Sequence, residues 1–233
     1  TRKESSAASD VYKRQLVLLP SSTPTNTATL IAISVRQDGK SASLTAPNGK
    51  AQAAVIEAAI REAACRDENW ALLEAHGTGT PLGDPIEVRS LASVFKHRST
   101  AMMLLGSIKG NTGHAEAAAG ASGLLRMAMG LVKQVGMPNA QLRLLNPHLV
   151  SAVQDGDIFF QTVMSVCERD ETVACGGVSS FGYSGTIVHA VLEASCLVHV
   201  VPWAVKLPFK RTRFAWKAGK SSEGRRLSLI HIS

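Results

Sequence analysis

Two hydrophobic patterns share the 233-residue chain. Short unbroken apolar or β-branched runs read as buried strands, and longer stretches with apolar positions three and four apart read as helices. Leu30–Val35 is the first strand, closed by the turn signal of Gln37, Asp38 and Gly39. Pro47-Asn48-Gly49 gives a second turn, and Lys50–Ala64 follows as a helix carrying Val55, Ile56 and Ile60 on one face. Trp70–Glu74 and Met102–Ser107 are further short strands. Between them Pro85–Phe95 is a helix with proline in its first turn, where a missing N–H leaves no bond unmade. His114–Gln134 reads as one helix, apolar nearly all round except at Arg126 and Lys133, and so central and buried. Pro138–His148 is loop-like, and Ile158–Val166, Thr172–Val178 and Gly185–Glu193 are three more strands. Strands alternating with helices predict an α/β fold with a layered sheet.

Composition adds few constraints. The length suits one large domain or part of a bigger one, and 45% of residues are hydrophobic, many of them alanine. No apolar run reaches the roughly 18 residues that cross a bilayer, and the polar N-terminal stretch lacks a signal-peptide pattern, so a cytoplasmic protein without a membrane span is expected. The net charge of +7 is local: eight Lys or Arg and one acid fall between Lys206 and Arg226, which leaves the rest neutral. The basic charge is therefore that of a tail, and no nucleic-acid partner is expected. Residues 1–20 and 227–233 read as non-native or disordered flanks, 21–195 as the folded domain and 196–226 as a basic linker. Cys65, Cys167, Cys175 and Cys196 lack CxxC pairing, so neither a disulfide framework nor a metal site is suggested.

The chemistry lies in two histidines set in glycine-rich turns. His76 opens His76-Gly77-Thr78-Gly79-Thr80, and His114 closes Lys109-Gly110-Asn111-Thr112-Gly113-His114. Two imidazoles held this way can donate two hydrogen bonds to one developing negative charge. A position at a helix start would keep the His114 ring neutral, and the charge of Lys109 would reinforce the effect. Thr78 and Thr80 offer hydroxyls to an amide-rich substrate arm. The segment Gly176–Thr186 reads as a turn around Phe181 that can present a backbone N–H to an oxyanion. Asp84 and Glu87, on either side of Pro85, read as helix caps. Glu116 reads as a charge matched to a helix dipole, His189 as a core residue and Cys175 as a buried strand residue.

Three blocks, His76–Glu87, Gly106–Gly120 and Gly177–Glu193, occur in that order after Gln37–Gly49. Together they resemble the C-terminal half of a β-ketoacyl synthase (ketosynthase) domain of a type I polyketide synthase, over Ile31–Ser195. The resemblance implies a thiolase-like layered α/β/α/β/α fold, of which residues 21–195 would be the C-terminal half, and a homodimer when complete. It implies decarboxylative Claisen condensation of acyl and malonyl-type thioesters on acyl carrier protein. The phosphopantetheine arm would be the substrate carrier, with no cofactor bound directly. His76 and His114 match the family's catalytic histidines, Lys109 the lysine supporting the second of them, Thr78 and Thr80 the threonines on the phosphopantetheine arm, and Phe181 the gating phenylalanine at the oxyanion hole.

Departures accompany the match. Ile187 stands where the family has asparagine. The family's nucleophilic cysteine precedes both histidines, and nothing before His76 resembles its turn, so the nucleophile is expected outside this chain and the chain alone inactive. Leu207–Trp216 resembles the linker that packs on such synthases, which suggests a standalone or acyltransferase-lacking parent. Two other readings stay open: a non-catalytic partner or chain-length factor, and a decarboxylase-type variant without the cysteine.

Overall fold

The computed structural model describes residues 28–39, 46–96, 102–153, 158–166 and 173–195. The proposed flanks, the basic linker, the segment 207–216, Cys167, Cys196, His97 and His199 all lie outside the described residues. The strands are β1 (Thr29–Gln37), β2 (Trp70–Glu74), β3 (Met103–Gly106), β4 (Val135–Gly136), β5 (Ile158–Phe160), β6 (Ser165–Val166), β7 (Val173–Phe181) and β8 (Thr186–Ser195). Six of them form one sheet in the order β1-β8-β7-β2-β3-β5, while β4 and β6 pair separately. β2 runs parallel to both β7 and β3, and β3 runs parallel to β5. β8 is antiparallel to β7 and to β1. Every residue of β2 is buried, as expected of a parallel strand covered on both faces.

The helices are α1 (Gly49–Ala63), α2 (Gly83–Phe95), α3 (Lys109–Thr112), α4 (Ala119–Lys133) and α5 (Pro147–Val153). α1 starts where the Asn48 side chain accepts the Ala51 N–H and stops at Ala64, whose φ is 51°. Side chains alternate across each strand, so one sheet builds two cores. Leu73, Leu105 and Val191 join Ile56, Leu91 and Phe95 from α1 and α2. Their neighbours Leu72, Leu104 and Leu192 join Met127 and Leu131 of α4. Trp70 meets Phe95 edge-on at 5.1 Å in the first core. The result is a helix–sheet–helix sandwich, and among the described residues no helix is long and apolar enough to cross a membrane.

Most strands and helices fall where the pattern places them, with four differences. His114–Gln134 is not one helix: α3 ends at Thr112, Gly113 turns with φ 80°, and a 3-10 turn at Glu116–Ala118 leads into α4. Nor is α4 buried all round, since Leu125, Met129 and Val132 are 39–50% exposed along one face. The Gly176–Thr186 segment is not a long turn. β7 continues to Phe181, and only residues 182–185 reverse the chain, because Gly185 (φ 91°) closes a tight hairpin. Ile158–Val166 divides into β5 and β6, which belong to different sheets.

Candidate active site

The parallel strands β2, β3 and β7 point their C-terminal ends to one edge of the sheet, where open α/β sheets place their ligands. His76 follows β2, His114 follows β3 through α3, and Phe181 ends β7. The two imidazole rings stand 5.8 Å apart with planes at 89°, and Phe181 lies 5.5 Å from His76. These three, with Thr78 and Thr80, line a cleft of about 1180 Å³. Gln37, Asp38, Gln52, Tyr183 and Ile187 also line it. Five of the six expected site residues thus share one cavity. Lys109 is half-buried and does not line it.

Glu87 builds the His76 turn. Its side chain, 3% exposed, accepts the His76 N–H at 2.6 Å and the Gly77 N–H at 2.9 Å. Burial pushes its pKa up to about 7, against the pull of those two bonds. Gly77 has φ 47°, and a Cβ there would fall 2.7 Å from Ser107, so the turn has no room for another residue. Asp84 accepts the Gly79 N–H at 3.1 Å, and the Thr80 hydroxyl accepts the Gly83 N–H at 3.0 Å. The expectation that Asp84 and Glu87 cap the helix is therefore corrected. α2 has no side-chain cap bond, and both carboxylates fold the preceding turn instead.

His76 is kept neutral. Burial first, then the positive charges of Lys109 and His114, lower its pKa to about 4. Its buried Nδ1 has no hydrogen-bond partner among the described residues. Lys109 thus acts on the first of the two rings, His76. Burial holds Lys109 below its ordinary range, against the carboxylates of Glu74, Glu87 and Asp84.

His114 is exposed and lies before, not at, the start of α4. Glu116 is not in that helix either; its N–H donates to His114 Nδ1 at 3.3 Å. An Nδ1 that accepts carries no proton, so the neutral ring has its N–H at Nε2. The loop leading to His114 is anchored at its base by Glu74, whose carboxylate accepts the Ile108 N–H at 2.7 Å. Glu74 is also paired with buried Arg126, which donates to the Met137 carbonyl as well. Asn139 accepts the Ser107 N–H and donates to Leu105, while Asn111 bridges to Pro138 and Ala140.

Sequence reasoning missed Glu74, Arg126, Asn111 and Asn139 as supports of the site. Buried charges within otherwise apolar stretches, Glu74 at the end of β2 and Arg126 in α4, were the available signal. His189 is fully buried, as expected of a core residue, with Nδ1 3.0 Å from the Ser179 hydroxyl. Ile187 is 2% exposed and joins the apolar core beside the cleft. Cys175 is buried in β7 and does not line the cleft. Among the described residues no group of three His, Cys, Asp or Glu could hold a metal.

Residues 27–143 match the family model described as β-ketoacyl synthase, C-terminal domain. The chain is 35% identical over 190 residues to mycoketide-CoA synthase of Mycobacterium tuberculosis, covering 76% of this chain and 4% of that protein. It is 40% identical over 168 residues to polyketide synthase GfsE of Streptomyces halstedii, covering 71% of this chain and 4% of that protein. The solved ketosynthase from module 6 of the bacillaene synthase of Bacillus subtilis is similar at TM-score 0.66 and 32% identity, over 71% of this chain and 30% of that one. A module 1 ketosynthase of Bacillus amyloliquefaciens gives 0.66 and 36%, over 72% and 32%. The chain thus spans a small part of these synthases and about a third of a solved ketosynthase. Its fold is the thiolase-like fold of those domains.

Proposed function

The chain belongs to the β-ketoacyl synthase family, and from that premise we propose that it supplies the two-histidine half of a polyketide-condensing site. The observation that carries the reading is the perpendicular pair His76–His114 at 5.8 Å, open to a cleft beneath Phe181. Loss of carbon dioxide from a malonyl-type thioester leaves an enolate oxygen. Two imidazole N–H groups aimed at that oxygen lower the barrier, each such donor being worth about 3–4 kcal/mol where it has been removed from an enzyme. A neutral His76 suits this task because it donates without an acidic proton to lose. Glu87 fixes the ring's backbone, burial reinforced by Lys109 holds the ring neutral, and Glu116 fixes the His114 tautomer with its N–H at Nε2.

Thr78 and Thr80 would contact the phosphopantetheine arm of acyl carrier protein, the partner that brings both thioesters. The Thr80 oxygen accepts from Gly83, so its hydroxyl proton is the group left for the arm. Phe181 would cover the acyl chain and offer its N–H to the tetrahedral oxyanion. The nucleophilic cysteine belongs to the other half of the duplicated fold, and buried Cys175, away from the cleft, supports that division. The complete domain would be a homodimer with no bound cofactor, and this chain alone would not condense. His114→Ala in the complete synthase should abolish malonyl decarboxylation, read as carbon dioxide release; full release by the variant refutes the reading.

A further inference from the structure

Cys65 and Cys175 are 110 positions apart and carry no spacing signal, yet the fold brings their sulfurs to 2.7 Å. Cys65 lies just past the end of α1 and is only partly buried, whereas Cys175 is 1% exposed inside β7. Cys175 stands in register with Trp70 of β2 and Glu193 of β8. Its thiol donates to the Cys65 sulfur, and that bond pulls the Cys65 pKa below the ordinary thiol range, against burial and the Glu193 charge. A partly exposed cysteine drawn toward thiolate, backed by a buried second thiol in contact, has the parts of an attacking and a resolving cysteine.

We propose that Cys65 and Cys175 form an oxidative modification site whose reagent is a hydroperoxide and whose product is an intrachain disulfide joining the end of α1 to β7. The Cys65 thiolate attacks a peroxide oxygen, the O–O bond breaks, and the hydroxide released takes up the thiol's proton as water. This leaves Cys65 as the sulfenic acid. The Cys175 sulfur then attacks the Cys65 sulfur, the S–O bond breaks, and the departing hydroxide leaves as water with the Cys175 proton. Two thiols give up two electrons, and hydrogen peroxide becomes two waters. Neither sulfur lines the histidine cleft, so the site stands apart from the condensing reading.

The test uses the chain with Cys167→Ala and Cys196→Ala, reduced and then treated with hydrogen peroxide, folded or in urea, before alkylation and mass spectrometry. The expected product has lost two hydrogens, has no alkylatable thiol, and yields one linked peptide pair containing Cys65 and Cys175. It should form at least about tenfold faster in the folded chain, since folding removes the search that closes so long a loop. Adding Cys65→Ser should leave Cys175 reduced. In the four-cysteine chain mapped in parallel, the same pair should dominate over links to Cys167 or Cys196. Cross-linking no faster in the folded chain than in urea overturns the proposal. So does sulfinic Cys65 beside a Cys175 that still alkylates.

Discussion

The two histidine loops rest on the same kind of base and differ at the tip. Each is anchored by a buried carboxylate accepting backbone N–H groups, Glu87 for one and Glu74 for the other. Glu87 grips His76 itself, so that ring is held beside the sheet and neutralised by burial. Glu74 grips Ile108, and the chain then runs through α3 before reaching an exposed His114 steadied by surface amides and the Glu116 N–H. Burial fixes the charge of one ring, and a local bond fixes the proton position of the other. Under the proposed function such a pair would present one donor fixed against the sheet and one held by local bonds of its loop.

The comparison breaks most severely at the base of the His114 loop. Arg126→Met would leave the Glu74 carboxylate buried and without its ion pair, at a cost of about 3–5 kcal/mol. Denaturant unfolding should show that loss, and Glu74→Gln added to Arg126→Met should recover part of it, because the stranded charge is then gone. A double variant as unstable as the single one would mean that packing, not charge, accounts for the loss.

Glu87→Ala tests the other base. It leaves the His76 and Gly77 N–H groups without an acceptor in a buried site, which costs about 2–4 kcal/mol. The His76 ring signal should shift more in this variant than that of His114, since Glu87 bonds the backbone of the first turn and acts on the second loop through the Lys109 charge. Equal shifts at both rings would show that the loops are coupled rather than separately anchored.

Lys109→Met sharpens the electrostatic contrast. Removing the nearby positive charge should raise the His76 pKa from about 4, while burial, the larger cause, keeps it below the ordinary 6.5. The folded state favours the neutral ring, so His76 contributes stability that is present above pH 6.5 and lost as pH falls toward 4. His189, with a pKa near 3, acts in the same direction from 6.5 downward. Each such group adds a slope of up to about 1.4 kcal/mol per pH unit. Glu87, raised to about 7, opposes them between about 4.5 and 7. Of these three groups, two histidine slopes face one carboxylate slope between about pH 4.5 and 6.5, so their sum already falls with acidity there, and it falls more steeply just below 4.5, where Glu87 no longer opposes them. NMR titration of the His76 ring and unfolding at several pH values check both effects; an unmoved His76 pKa in Lys109→Met would show that burial alone sets the charge of that ring.

Much of this arrangement could be read from the chain. β2, β3 and α2 fall where short apolar runs meet glycine and proline, and the glycines at Gly77 and Gly113 mark turns with positive φ. The Glu74 anchor could not be read, because its bonds span 52 positions to Arg126 and 34 to Ile108, and no local pattern encodes such pairs. The misread helix has a different cause. The stretch from His114 to Ala121 is mostly alanine and carries no start signal, so the break made by positive φ at Glu116 is silent in the pattern. Periodicity also cannot tell which apolar face of α4 is covered. Met127 and Leu131 are buried and Leu125 and Met129 exposed, with the same spacing of four.

The mildest expected effect belongs to Asn111→Ala. The side chain donates to the Pro138 carbonyl and accepts the Ala140 N–H from an exposed position, so its loss costs stability only about 1 kcal/mol, with water replacing both bonds. Its effect on the site should be larger than on the fold, because the amide ties the middle of the His114 loop to the segment after β4. Decarboxylation by the complete synthase should fall about tenfold with little change in unfolding midpoint, the rate change expected when a donor loses its alignment rather than its presence. If rate and stability fall together, the loop is held as one body with the sheet, and the difference between the two histidines would lie in exposure alone.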